Sequence, residues 1–418
     1  MSDAYVPRDT LHLWYLGRPD APALVGDLNL VMNGRGVSLR YADAWLRNGI
    51  ALSEDLPLID IEHFPVERDT AVGAVDDARP DRWGERVIRA LDRPARLSLL
   101  EYLWFAGDDR FGALGVSDSR ERYQPRRLGP LPRLADLDEI HRLAMRVQDG
   151  APVDPALRRL IDPGVTMGGA RPKGLIRIGN AEWVVKFAED PGSAEPLVEH
   201  AAMRLAARAG ITISETRALR LPKAHAVAIK RFDRHEDGTR RHALSAHVAL
   251  RAAGSEPGYP QLAELLRRRG VAAHERHRRQ MHELFRRLVF NILIDNTDDH
   301  EKNHVLLVTE KGDFELAPAF DVLPTGQSLG YQSMAVGVRG AESSVDNALS
   351  MASSYWLDEK AARATAREVA AVVTQWRKHF AACRIHKATL DALAGHIDRP
   401  DLLRQRQALL DPRASPGK

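Results

Sequence analysis

The chain is poor in several features that would settle its class at a glance. Among 418 residues there is a single cysteine, Cys383, which excludes an internal disulfide and fits a reducing compartment. No stretch reaches the ~18 consecutive apolar residues of a membrane-spanning helix. The start, Met1-Ser-Asp-Ala-Tyr-Val-Pro-Arg-Asp9, lacks the basic-then-apolar order of a secretory leader, so a cytoplasmic location is the expectation. Neither sign of charge dominates: 60 Lys plus Arg face 57 Asp plus Glu, which is not the balance of a protein that coats nucleic acid. There is no internal repeat and no low-complexity tract. The length predicts two or three domains with ample apolar surface for a core.

What is present is concentrated between residues 291 and 324. Asn291-Ile-Leu-Ile-Asp-Asn-Thr-Asp-Asp-His-Glu-Lys-Asn303 is followed, after a short hairpin, by Ala317-Pro-Ala-Phe-Asp321-Val-Leu-Pro324. Leu284, Phe285, Leu288, Val289, Ile292 and Leu293 recur at helical spacing. The helix should stop near Asp295-Asn-Thr297, residues that favour bonding to local backbone over helix continuation. His304–Val308 and Phe314–Ala317 read as strands joined by a glycine turn. Asp298 and Asn303 stand five apart, the offset of base and metal-binding amide in a kinase catalytic loop, and Asp321 falls where a kinase places its second magnesium ligand. Taken singly, each residue is explained as well by turn and cap chemistry; together they point to phosphoryl transfer.

Upstream, Gly168-Gly169 removes side chains where backbone N–H groups would approach phosphates. Ala170 stands where a Walker lysine belongs, and a tight turn before a hairpin is the plain alternative. Strands are predicted over Lys173–Ile178 and Glu182–Phe187. On the second, Lys186 shares a face with apolar Val184 and needs an anionic partner if buried. ATP phosphates supply one, and Glu199 on a helix over 194–209 supplies another; an edge-strand lysine facing water is the alternative. His300 is expected to hold the loop by hydrogen bonds, and His304 to be ordinary. Residues 117–133, rich in Pro, Gly and Arg, are the best linker. Arg267–Arg269 and Arg276–Arg279 read as solvated faces. Arg377, Lys378, Arg384 and Lys387 read as the outer side of an amphipathic helix and, if any group does, as DNA contacts.

Several of these segments together resemble the HipA-type serine/threonine kinases, the toxin halves of bacterial toxin–antitoxin pairs. Asn296-Thr-Asp-Asp-His-Glu-Lys-Asn303 and Leu316-Ala-Pro-Ala-Phe-Asp321 are similar to their active-site segments. Thr166-Met-Gly-Gly-Ala-Arg-Pro-Lys173 resembles the phosphate loop, Trp183-Val-Val-Lys186 the ATP-lysine strand, and Ala228-Ile-Lys-Arg-Phe-Asp-Arg234 the hinge. The resemblance also takes in Ala51–Leu58 and Gly107–Ala113. It implies an α+β, bilobal protein-kinase-like fold with an additional N-terminal α/β domain: residues 1–117, an N-lobe over 118–232, and a mostly helical C-lobe over 233–418. It implies ATP and Mg²⁺, with Asp298, Asn303 and Lys186 catalytic and Asn303 and Asp321 on the metal. Gly168, Gly169, Lys173, Lys186, Lys230, Phe232, Asp233 and Asp321 would line the nucleotide, and Thr166 would be autophosphorylated. A serine or threonine of a host protein, plausibly an aminoacyl-tRNA synthetase, would be the acceptor. A helix-turn-helix, HipB-like antitoxin would be the partner, with operator DNA bound mainly by the complex. A catalytically weak corepressor of kinase fold and a metal-dependent phosphohydrolase are the rival readings.

Overall fold

A computed structural model describes residues 5–126, 129–164, 169–190 and 192–411. Thr166 and Gly168 therefore lie outside the described residues.

The N-terminal unit is built on strands whose alternate residues point inward. Strands β1 (Thr10–Tyr15), β2 (Ala23–Val31) and β3 (Gly36–Tyr41) precede helix α1 (Asp43–Asn48) and the two-residue strands β4 (Glu62–His63) and β5 (Thr70–Ala71). Helices α2 (Arg82–Val87) and α3 (Leu99–Phe105) then lead to β6 (Leu114–Ser117). The sheet runs β4-β3-β2-β1-β6 and is antiparallel except where β5 lies along β3. Leu11, Leu13, Val25, Leu28, Val37 and Leu39 are fully buried beneath it. Helix α3 starts at Ser98, whose side chain and that of Glu101 form a reciprocal capping box. Gly84 of α2 lies so close to the chain that a Cβ would stand 2.0 Å from the Pro163 carbonyl oxygen. Only glycine lets this helix abut the segment that ends at Gly164.

The stretch read as a linker is not slack. Tyr123 stacks on Trp14 at 6.1 Å between centroids, and the Arg126 guanidinium lies 4.0 Å from the Trp104 ring centroid. Aromatic and cationic side chains thus fasten this polar segment back onto the N-terminal unit.

Helix α4 (Leu137–Gln148) covers one face of a second, antiparallel sheet of β7 (Lys173–Ile178), β8 (Ala181–Phe187), β9 (Thr216–Arg220) and β10 (His225–Lys230), ordered β7-β8-β10-β9. Helix α5 (Glu195–Arg208) covers the other face. On β8 the period of two sorts side chains between two cores. Trp183, Val185 and Phe187 pack with Leu137, Ile140 and Leu143, whereas Val184 packs with Val198 and Ala202. Lys186 follows Val184, and β8 is central, so a lysine on an edge facing water is ruled out.

The remaining chain is mostly helical. Strand β11 (His242–Ser245), α6 (Ala246–Ala252), α7 (Tyr259–Arg269) and α8 (Arg276–Leu293) precede the hairpin β12 (Val305–Val308) and β13 (Phe314–Leu316). Five helices follow: α9 (Val345–Leu349), α10 (Glu359–Val373), α11 (Trp376–Ala382), α12 (Lys387–Ile397) and α13 (Pro400–Leu410). Helix α8 buries the whole predicted stripe from Leu284 to Leu293. The chain leaves it at Asp295 with φ +59°, a left-handed conformation that aspartate tolerates.

Two sequence expectations about charge are corrected. Arg268 and Arg269 are not simply solvated: both reach Glu54 of the N-terminal unit at 2.7 Å. Arg377, Lys378, Arg384 and Lys387 do not share one helix, because α11 ends at Ala382, Arg384 turns at φ +65° and Lys387 opens α12. Among the described residues no helix is long and apolar enough to cross a membrane.

Candidate active site

Lys186 of β8 enters a buried triad. Its Nζ lies 2.8 Å from Glu199 Oε1 of α5 and 2.5 Å from Asp321 Oδ1. Burial alone would push the ammonium pKa down, but Asp321 and Glu199 outweigh it and raise it. Burial likewise drives Asp321 upward, and Lys186 and Arg171 overcome this to bring it down to about 2. Asp321 is therefore a carboxylate at neutral pH. It sits at φ +57°, a backbone state that costs energy outside glycine and concentrates at functional sites. Its neighbour Phe320 packs on Phe232 at 5.5 Å, and Phe232 on Phe111 at 6.3 Å.

Asp298 lies in the loop between α8 and β12 and is exposed, while Asn303 is buried and donates from Nδ2 to the Asp298 carbonyl at 3.3 Å. The five-residue offset thus closes on itself. Both residues line a cleft of about 510 Å³ with Gly169, whose φ of +68° needs no side chain, and Phe320. Arg171 joins the two acidic groups. Burial lowers its pKa, but the charges of Asp321, Glu195, Glu199 and Asp298 together raise it, and it pairs with Glu195 at 2.7 Å. Asp298 and Asp321 are consequently within the field of one guanidinium.

The loop is held from below by Asp299. This buried carboxylate accepts on one oxygen, Oδ2, from Asn291 Nδ2 at 2.8 Å, from His304 Nε2 at 3.0 Å and from the Tyr259 hydroxyl. Three elements (α7, α8 and the start of β12) converge on the residue beside Asp298. His304, expected to be ordinary, is thus a fixed part of the loop, whereas His300 accepts from Lys302 N at 3.2 Å and caps the turn over Glu301–Asn303. Hydrogen bonds to a buried charge contribute about 1.5–3 kcal/mol each. We expect Tyr259→Phe to cost about 2 kcal/mol in denaturant unfolding and to slow turnover, with no change in nucleotide affinity. Unchanged stability and turnover would show the contact to be dispensable.

Three of the residues expected at the nucleotide are engaged by other protein groups. Lys173 is fully buried, its Nζ 2.5 Å from Asp81 Oδ2 of the N-terminal unit and bonded also to the Gly169 carbonyl. Burial pushes its pKa down against the pull of Asp81, so it supports the loop from beneath. The Lys230 ammonium turns to Glu236 at 3.3 Å. Asp233 is fully buried in a different structure. It binds Arg231 at 2.7 Å and Arg234 at 2.9 Å and accepts from Gly112 N at 2.8 Å, while the two arginines reach the carbonyls of Asp109, Arg110 and Gly112. It is a seam between the N-terminal unit and the rest, with both oxygens taken. Sequence reasoning passed over Arg171, Asp81 and Asp299; Arg171 lies inside the same glycine-rich segment and Asp299 has His304 and Asn291 within eight residues, but the partner of Asp81 is 92 positions away.

The family models decide the lineage. The HipA-like C-terminal domain matches residues 165–376, and the HipA N-terminal domain matches residues 22–117. The chain belongs to the HipA family. Among curated relatives, this HipA-family chain is 27% identical over 347 residues to "Putative kinase Y4mE" of Sinorhizobium fredii, covering 75% of this chain and 77% of that one. It is 29% identical over 204 residues to "Putative kinase Y4dM" of the same organism, covering 44% and 49%. Among solved structures it resembles a chain of the Shewanella oneidensis MR-1 toxin–antitoxin complex of HipA, HipB and operator DNA. The TM-score is 0.66 at 17% identity, covering 95% of this chain and 96% of that one. The HipA fold, a kinase-like body with an added N-terminal domain, is therefore the fold of this chain.

Proposed function

We propose that this HipA-family chain is an ATP- and Mg²⁺-dependent serine/threonine protein kinase. The observation that carries the reading is the buried Lys186–Glu199–Asp321 triad beside a cleft that holds Asp298 and Asn303. Asp321 and Asn303 offer oxygen donors, the type magnesium prefers together with substrate phosphates. Among the described residues no group of three His, Cys, Asp or Glu side chains could hold a metal by itself, so phosphate oxygens would complete the shell. Mg²⁺, when bound, would neutralise charge on those phosphates. Lys186 and Arg171 would add their charges, Gly169 would give the phosphates room, and the adenine would lie against the hinge from Lys230 to Phe232. Asp298 would orient the acceptor hydroxyl and take its proton as the oxygen bonds to the γ-phosphorus and the bond to the departing ADP breaks. Catalysis would come mainly from positioning and fixed charge.

The Shewanella relative is solved with HipB and operator DNA. We propose that this chain likewise acts as a toxin, phosphorylating a host protein to arrest growth, and that a small DNA-binding antitoxin restrains it. An aminoacyl-tRNA synthetase is the first acceptor to test. Incubation of the purified chain with γ-labelled ATP, Mg²⁺ and cell extract should place label on serine or threonine of a discrete protein, and EDTA should remove it. Peptide mapping of the chain itself should find phosphate on Thr166, where about two negative charges would repel ATP phosphates and restrain activity. Release of phosphate from phosphoesters without ATP would favour a phosphohydrolase. Nucleotide binding without any transfer would favour a corepressor.

A further inference from the structure

The cleft has a wall that the nucleotide reading leaves unused. Asp298, Lys302 and Asn303 form one side and residues 76–85 of the N-terminal domain the other, while neither Lys186 nor Asp321 lines it. It thus runs from Gly169 and Phe320 past Asp298 to the N-terminal domain, which leaves space beside Asp298 for an acceptor. His247 of α6 lines this space. Its Nδ1 lies 2.9 Å from Glu301 Oε1, and since an ionised carboxylate only accepts, Nδ1 carries the proton and Nε2 is left for another partner. No hydrogen bond to that Nε2 is found among the described residues.

A surface His–Glu pair usually contributes little, but this one is fixed from two sides. Glu301 belongs to the helical turn that ends at Asn303, and its carboxylate accepts from His247. On the other side, Ser245 caps α6 by accepting from Val248 N at 3.2 Å. Ser245 in turn gives its N–H and its hydroxyl to Asp77 at 2.6 and 2.7 Å. The N-terminal domain thus sets the helix that carries the imidazole, and the catalytic loop sets the ring. This is the arrangement of an oriented histidine with one free nitrogen facing a reaction cleft.

We propose that His247 is an acceptor-binding residue. Its Nε2 accepts a hydrogen bond from a serine- or threonine-bearing polypeptide segment that enters between residues 76–85 and the catalytic loop, with Glu301 and Asp77 as positioning residues. The proposal rests on the kinase reading. Its test uses the full chain, Mg·ATP and dephosphorylated casein, or the main labelled protein of the extract purified as substrate if casein is not labelled. His247→Phe keeps the ring volume without its nitrogens and should raise the KM for the protein acceptor roughly tenfold, the size of one lost hydrogen bond, with the KM for ATP within about twofold. His247→Gln, whose amide oxygen can stand near the Nε2 position, should recover part of that loss, and Glu301→Gln should reproduce it in part. Unchanged acceptor KM in His247→Phe, or equal effects on both KM values, would overturn the proposal. If the wild type binds no Mg·ATP by calorimetry and labels neither casein nor any extract protein, the kinase reading itself fails, and the proposal falls with it.

Discussion

Asp298→Asn is expected to bind Mg·ATP as the wild type does and to transfer phosphate some 10²–10⁴ times more slowly, the range for loss of a positioned general base. The reason lies in how differently the two acidic groups are placed. Asp298 is exposed at the cleft and gives only its carbonyl to Asn303, so an amide side chain there disturbs no buried contact. Asp321 is locked to Lys186, and Asp321→Asn removes one carboxylate from a triad that balances a buried ammonium. That variant should lose nucleotide affinity as well as turnover, and some stability besides. Calorimetric titration with Mg·ATP, run beside label incorporation for both variants, separates the roles. Phosphorylation by Asp298→Asn near the wild-type rate would remove it as the base.

Asp233→Ala should be among the most destabilising single changes in the molecule, at about 3 kcal/mol, because it leaves two buried arginines with only the more distant Glu182 as counter-charge. A typical domain has only about 5–15 kcal/mol in hand. The side chains of Arg231 and Arg234 are both buried, and without Asp233 their one remaining carboxylate among the described ion pairs is Glu182, farther off at 3.6 and 3.7 Å. The same residue predicts an acid response. Burial raises its pKa, but the two arginines more than reverse this and hold it well below the ordinary carboxylate range. Asp233 therefore contributes stability that is whole above its unfolded pKa near 4 and is lost as pH falls below it. Urea unfolding of the wild type between pH 7 and 3 should show a fall that is smaller in Asp233→Asn, the remainder coming from groups such as Asp321 that are also held low. Equal pH dependence in the two proteins would place the acid-sensitive group elsewhere.

The parts of the site that were legible in the sequence are those whose chemistry is local. Asp298 and Asn303 declare themselves by their offset in one loop, and Lys186 by alternating with Trp183, Val185 and Phe187 on a strand. What stays hidden joins residues far apart. Asp81 meets Lys173 across 92 positions, Asp77 meets Ser245 across 168, and Glu54 meets Arg268 across 214. A polar contact at such separations leaves no periodicity for a reader of the chain to find. Asp233 misleads for the opposite reason. Standing beside the hinge, it invites a nucleotide role, yet the arginines at 231 and 234 that bracket it were the visible sign of a buried charge needing partners. His304 is similar: a histidine opening a strand says nothing until Asp299 is seen beneath it.

The contact between Lys186 and Asp321 spans 135 residues, and this has a consequence for the timing of synthesis. At about 5–20 residues per second, a ribosome delivers the lysine roughly 7–27 s before the aspartate. Through that interval a nascent chain can hold its N-terminal domain and the strand bearing Lys186, but not the residue that completes the triad. Any chain released early, by a stop codon or a stalled ribosome before position 321, is a fragment in which Lys186 lacks one of its two carboxylate partners. The triad can close only when about three-quarters of the polypeptide has been made.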